Sequence, residues 1–592
     1  MKKLLILVAL AIFGFIVVWN VDRSDEVMPV ASPDTLRSLE SGDVLGFVDR
    51  FNAHAWLGIP YALPPVGAQR WRAPGSPHKW RGRLAALEAG NVCPQVSTGE
   101  RGRSGQLIGN EDCLYLNVWA PAFGVGQVPT GPERLPVMFW IHGGGNSIGH
   151  GASAMYNGAL LASEQRLVVV SINYRLGPLG WFRHPSLRRT AESPETASGN
   201  FGTLDIIAAL KWVRRNISQF GGDPGKVTIF GESAGGVDVL TMMASPLAAG
   251  LFHGAIVQSG GYDPDSVELA ENFMDAGGHR LSSREVVSKL LLADASADSP
   301  GAAREIQQTM PDAGLADYLR SKSVSELFVI YSSGSFGMLQ NPDVFADGFV
   351  LPNLPVESVF SDPANYNAVP LIIGTNRDEV KLFQFLDNSM VKKFFGLPYQ
   401  IVDPVAYERS NRYGSDLWKA RSVDRLASII TASEDSEPVF AYRFDVDDLR
   451  NLGIVDFKDV LGAAHALEIP FVFGNFDGLL GFIHPASLIE EREILSGQIM
   501  SYWAEFAYHQ APGAGRQRQQ IEWKPWRSDP DAQRIIIFDY ESDEGIHLSS
   551  LLMTVDSVKQ RFIADTTFES DREFCAAYKR LFNEDASVAR CL

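Results

Sequence analysis

A chain of 592 residues, 45% hydrophobic and 21% charged, can bury a large core, which excludes a wholly disordered chain, a collagen and a polytopic membrane protein. The net charge of −18 opposes general nucleic-acid binding and names no substrate. Four cysteines are too few to build a scaffold, so the core must carry the fold.

Length alone allows about four domains of about 150 residues each. Met1-Lys2-Lys3 precede an unbroken apolar run over residues 4–19, and polar residues resume at Asn20. As a helix that run spans about 24 Å, slightly short of a bilayer core. It has the shape of a signal peptide or a short signal anchor. No small-x-small site closes it and no cysteine follows to take a lipid, so an uncleaved anchor is favoured. Either form keeps Lys2 and Lys3 inside and exports the body, periplasmic or extracellular. Residues 1–30 are assigned to this segment, with membrane association through it.

Beyond residue 40 no internal repeat or long linker interrupts the chain. Residues 137–141, 167–172, 227–230, 255–257 and 370–373 are continuous apolar runs that read as strands covered on both faces. Ile207, Leu210, Val213 and Ile217 recur at helical spacing, and Gly221-Gly222 stops them. Strand, helix and strand in repetition argue for an open, mostly parallel α/β sheet. Residues 262–345, rich in Ser, Asp and Ala, look mainly helical and read as a rim or cap.

The third run leads into Gly231-Glu232-Ser233-Ala234-Gly235, and a helix candidate follows. A serine on a sharp strand-to-helix turn has crowded neighbours, and glycines two positions either side relieve the crowding. Upstream, the first run ends in His142-Gly143-Gly144-Gly145-Asn146. Consecutive glycines there let backbone N–H groups face an oxyanion; a phosphate loop would need a Gly-Lys-Ser/Thr ending, which is missing. Serine needs a base. If the acid follows the last run, Asp378 and Glu379 are its candidates, and His465, His484, His509 and His547 are candidates for the base. Spacing decides no further.

The ordered motifs resemble the type-B carboxylesterases, the family of the cholinesterases, within the α/β-hydrolase fold. They are Leu57-Gly58-Ile59-Pro60-Tyr61-Ala62, Glu111-Asp112-Cys113-Leu114-Tyr115-Leu116-Asn117, the glycine run from His142 and Asn173-Tyr174-Arg175-Leu176-Gly177-Pro178. Phe220-Gly221-Gly222-Asp223-Pro224, the Ser233 motif, Gly374-Thr375-Asn376-Arg377-Asp378-Glu379 and the stretch from His465 to Gly474 follow. The resemblance covers residues 45–585 and implies one enlarged domain over residues 31–592, with helical cap insertions. It implies an esterase acting on a small-molecule ester and water, with Ser233 as nucleophile, His465 as base and Glu379 as acid. It also implies an oxyanion hole from the amides of Gly144, Gly145 and Ala234. No cofactor is expected.

Three positions depart from the family: Val380 and Ala466 stand where glycines are usual, and Asn146 replaces a common phenylalanine beside the glycine run. Residues 94–110 contain no aromatic residue, so a quaternary ammonium lacks its π face and a cholinesterase is disfavoured. The family closes the loop from Cys93 to Cys113 with a disulfide, and Cys575 with Cys591 is a further candidate pair at the C-terminus. His465-x-x-Glu468 spaces two ligand types on a helix, but no other ligand motif supports a metal. Asn216-Ile217-Ser218 is a glycosylation sequon inside the expected helix. The rival reading is a catalytically silent adhesion or binding protein of the same fold; an amidase or peptidase would use the same three groups.

Overall fold

Eleven strands form the central sheet of the computed structural model, which describes residues 29–592 apart from 102, 332–336, 395–396, 454, 583–588 and 592. The apolar run over residues 4–19 lies outside the described residues. Among the described residues no helix is long and apolar enough to cross a membrane. The strands are β1 (Phe47–Val48), β2 (Ala53–Pro60), β3 (Tyr115–Pro121), β4 (Leu135–Ile141), β5 (Val168–Ile172) and β6 (Gly222–Glu232). They continue with β7 (Gly254–Gln258), β8 (Leu371–Asn376), β9 (Val439–Phe444), β10 (Ile535–Phe538) and β11 (His547–Ser549).

Their spatial order is β11-β10-β9-β8-β7-β6-β4-β5-β3-β2-β1. The strands from β5 to β10 run parallel, and antiparallel strands flank them at both edges. All five strands expected from the apolar runs are present in this parallel centre. β4 shows why: every residue of Leu-Pro-Val-Met-Phe-Trp-Ile is buried. Alternation sends Val137, Phe139 and Ile141 into one core, and Met138 and Trp140 into the other.

Helices cover both faces. α1 (Phe201–Asn216) and α2 (Ala234–Ala244) supply Ile207, Leu210, Val239 and Met242 to the first core. Further along the chain come α3 (Pro404–Lys419) and α4 (Ile489–His509); α4 supplies Ile499, Trp503 and Phe506 to the second core. α1 ends in a single 3₁₀ turn and Gly221 at φ 83°. The Asn216 side chain is buried, donating to Trp212 O at 3.0 Å and accepting from Glu40 N at 3.1 Å, so the sequon faces inward. Among the described residues the 262–345 stretch holds five α-helices, Val267–Glu271, Ser283–Ala293, Pro300–Thr309, Asp312–Ser321 and Val324–Phe328.

α3 passes through a π turn, Ala420–Asp424, into the helix Arg425–Ile430. Buried Lys419 pairs with Asp424 across that turn at 2.5 Å. The last helices, α5 (Val555–Ala564) and α6 (Asp571–Phe582), pack Phe562, Phe574 and Tyr578 against Tyr413 and Leu417 of α3. Disulfides join Cys93 to Cys113 and Cys575 to Cys591.

Candidate active site

β6 ends at Glu232 and α2 begins at Ala234, which leaves Ser233 alone at the junction with φ 57° and ψ −123°. A side-chain-bearing residue in such a conformation costs about 1–3 kcal/mol and persists only where its surroundings hold it. Here the Ser233 N–H donates to Gln258 O at the end of β7 (2.9 Å), and its carbonyl accepts from Val237 N (3.0 Å). Gly235 is required by close approach: a Cβ there would lie 2.0 Å from Ile141 O. The elbow thus packs directly on the end of β4.

The chain leaving β4 forms the glycine loop. A Cβ on Gly143 would lie 3.1 Å from Ser233 Cβ, so the loop passes next to the serine. Among the described residues, the amides of Gly144, Gly145 and Ala234 donate to no other backbone group. Unpaired N–H groups beside a helix N-terminus favour negative charge.

His465 lies between two carboxylates. Its Nδ1 is 2.5 Å from Glu379 Oε2. The other oxygen of Glu379 accepts from Ser259 Oγ (2.5 Å), Thr375 Oγ1 (2.6 Å) and Asn376 N (2.7 Å), so this fully buried carboxylate is fixed at both ends. Nε2 lies 3.1 Å from Glu232 Oε1, and neither atom has a hydrogen-bond partner. Burial opposes charge on His465, but Glu232 and Glu379 outweigh it and push the imidazole up to about 9. Burial pushes Glu232 up to about 8 against the attraction of His465. The two groups therefore titrate as a coupled pair. Glu468 accepts from Gln258 Nε2 (3.0 Å) and Asn376 Nδ2 (2.6 Å), extending this buried network.

The rings of Trp418 and Phe383 lie 5.0 and 5.4 Å from the His465 ring, and they stack on each other. Trp418 is the last residue but one of α3, and its Nε1 donates to Ser259 O at 3.2 Å. Met338 sits over Gly145, its sulfur 2.8 Å from where a Cβ would be.

The other candidates stand apart. Asp378 accepts from Asn411 Nδ2 (2.6 Å) and Ala463 N (3.1 Å), and so braces the turn between the helices Phe457–Val460 and Ile469–Phe473 that carries His465. His484 is buried against Phe471 and Phe476, His509 is on the last turn of α4, and His547 is on the edge strand β11. Ala466 adopts φ 70°, which accounts for a glycine preference there, whereas Val380 has an ordinary φ of −75°. Asp447, Asp448 and Asp543 cluster at the surface, but Arg377 and Lys458 already neutralise Asp447. Sequence reasoning missed Glu232, Ser259, Phe383 and Trp418. Only Glu232 carried a signal, its place directly before the serine.

The parallel sheet with helices on both faces and a serine on the turn after its central strand define an α/β-hydrolase. A Carboxylesterase family model matches residues 33–420 and 406–549. A para-nitrobenzyl esterase of Bacillus subtilis (strain 168) is 34% identical over 516 residues, covering 84% of this chain and 94% of its own. A fumonisin B1 esterase of Sphingopyxis macrogoltabida is 34% identical, covering 84% and 87%. A solved PNB esterase superposes with a TM-score of 0.65 at 31% identity, covering 89% of this chain and 99% of its own. A Geobacillus stearothermophilus carboxylesterase gives 0.62 at 29% identity, covering 87% and 97%. The chain belongs to the carboxylesterase family, and it is an enzyme that hydrolyses esters.

Proposed function

We propose that the protein cleaves neutral carboxylic esters through an acyl-enzyme on Ser233. His465 takes the Ser233 proton as attack begins and returns it to the leaving alcohol. Glu379 holds the imidazole tautomer and stabilises the imidazolium. The amides of Gly144, Gly145 and Ala234 receive the oxyanion, and water then cleaves the acyl-enzyme through the same base. The observation that carries this reading is the 2.5 Å His465–Glu379 bond, beside a serine held at φ 57°.

In the free enzyme Nε2 faces Glu232. Catalysis requires Nε2 to be unprotonated, so that it can accept from Ser233. Phe383, Trp418 and Met338 supply apolar surface around the reacting groups, which favours an uncharged, apolar ester. Relatives named for para-nitrobenzyl esters agree with such a preference.

Kinetics on an activated aryl ester test the assignment. Ser233→Ala and His465→Ala are expected to abolish measurable turnover, and Glu379→Gln to lower kcat by about 10⁴-fold, with the fold intact by circular dichroism. Near-wild-type turnover in any one of them refutes that residue's role.

The body is exported, anchored by residues 4–19. Two disulfides support an oxidising compartment. Deletion of the first thirty residues should release the enzyme from the membrane fraction; unchanged association would reject the anchor.

A further inference from the structure

The two loop amides of the oxyanion hole take their direction from two carbonyls. A trans peptide is planar, so the Gly144 N–H points away from Gly143 O, and the Gly145 N–H away from Gly144 O. Both carbonyls are engaged within the loop. Gly143 O lies 2.8 Å from His142 Nδ1. Gly144 O accepts from Ser147 N and Ile148 N, both at 3.1 Å, which closes a turn. Gly144, Gly145 and Asn146 have φ of 110°, 58° and 49°. Local propensity does not hold three such residues in a row, so the closure must be held from outside.

The loop closes at Gly149. A Cβ there would lie 2.6 Å from His142 Nδ1 and 2.7 Å from Gly143 O, so this residue rests against the start of the loop. Among the described residues neither its N–H nor its C=O bonds to another backbone group. Both go to one buried side chain, Gln95. Gly149 N donates to Gln95 Oε1 at 2.8 Å, and Gln95 Nε2 donates to Gly149 O at 2.9 Å. Nε2 also donates to Cys93 O at 3.0 Å. One donor faces the oxygen and two carbonyls face the nitrogen, so the amide fits only this way round.

The clamp is itself anchored. Asn173 makes a second tie between the same two segments: its Oδ1 accepts from Gly151 N at 2.8 Å, and its Nδ2 donates to Asn91 O at 2.9 Å. Cys93 stands midway between Asn91 and Gln95, and its disulfide fastens that segment to Cys113, two residues before β3. The bridge thus joins the clamp to the central sheet.

We propose that Gln95, anchored by the Cys93–Cys113 bridge, is a positioning residue for the oxyanion hole: it fixes Gly149, and Gly149 fixes the peptide groups that present the Gly144 and Gly145 amides. The inference rests on the oxyanion assignment above and adds a residue that acts only through the loop. Misplacement of about 1 Å in such a site costs up to about 100-fold in rate.

The test compares the full-length enzyme with Gln95→Ala and with Gln95→Met, which keeps the length of the side chain and removes all three hydrogen bonds. Turnover is normalised to the serine titrated to completion by a fluorophosphonate. Each variant should lower kcat by about 10- to 100-fold with KM within about twofold. Affinity for an aryl trifluoromethyl ketone, whose hemiketal oxygen needs the hole, should fall in parallel with kcat. Loss of the bridge in Cys93→Ala/Cys113→Ala should lower both in the same proportion. Adding Gln95→Met to that variant should cost little more, because one path carries both effects. A kcat within about twofold of wild type in Gln95→Met, a change in KM alone, an unmoved ketone affinity in the folded variants, or fully additive losses each overturn the proposal. If the enzyme without the bridge does not fold, Gln95→Met against wild type decides alone. An unlabelled wild-type Ser233 would instead defeat the functional reading, whereas labelled variants with full kcat defeat this inference alone.

Discussion

An imidazole flanked by carboxylates at both nitrogens, as His465 is, has a raised proton affinity, so in the proposed mechanism it begins in the wrong protonation state. Glu379 at 2.5 Å fixes its orientation, and Glu232 lies 3.1 Å from the other nitrogen, the one that takes the Ser233 proton in the proposed mechanism. On the proposed mechanism the acid limb of kcat/KM reports loss of the proton from that nitrogen. Removing the Glu232 charge destabilises the imidazolium, so Glu232→Gln should move the acid limb to lower pH. A pH–rate profile of wild type and variant checks this; a limb that stays or moves upward contradicts it. At this scale the proposed nucleophile was legible, because Gly231-x-Ser233-x-Gly235 records a packing need in the sequence itself. The proposed acid and base were not. Asp378 is adjacent to Glu379 and equally acidic, and four histidines follow; only resemblance singled out Glu379 and His465. Ser259 and Trp418 left no local mark, since each reaches the site from a strand end or helix end far away in sequence.

At the scale of elements, the wall beside His465 depends on an irregular helix. Trp418 precedes the π turn Ala420–Asp424, and the turn encloses the Lys419–Asp424 pair, at most 2% exposed on either side. Asp424 also accepts from Met553 N at 2.6 Å, which ties the turn to the segment before α5. Loss of one partner from a buried pair leaves an uncompensated charge and costs about 3–5 kcal/mol. Lys419→Ala should destabilise the enzyme by that amount in urea unfolding. A loss below about 1 kcal/mol would show that the pair does not hold the turn. The strands of the sheet were legible because parallel strands buried on both faces read as unbroken apolar runs. The π turn was not, because no apolar pattern marks it; the Lys419–Asp424 pair that spans it, five residues apart, looks like any other charged pair in the sequence.

At the scale of the whole molecule, length suggested several domains; the largest of the sheets among the described residues runs from β1 to β11, with two large cores on its faces. The family model spans residues 33–549 of it. Outside that sheet lie the helices of residues 262–345 and a C-terminal pair of helices braced on α3. The charge of −18 remains silent about substrate. The four cysteines form two disulfides; one closes a loop near the site, and the other clasps the last helix.

All of this converges on one atom, Ser233 Oγ. The most direct test is peptide mapping of the full-length enzyme after reaction with a fluorophosphonate. A single phosphonate on Ser233, absent in Ser233→Ala and slowed in His465→Ala, is the expected result. Labelling that persists unchanged in Ser233→Ala, or that maps to another residue, would contradict the account.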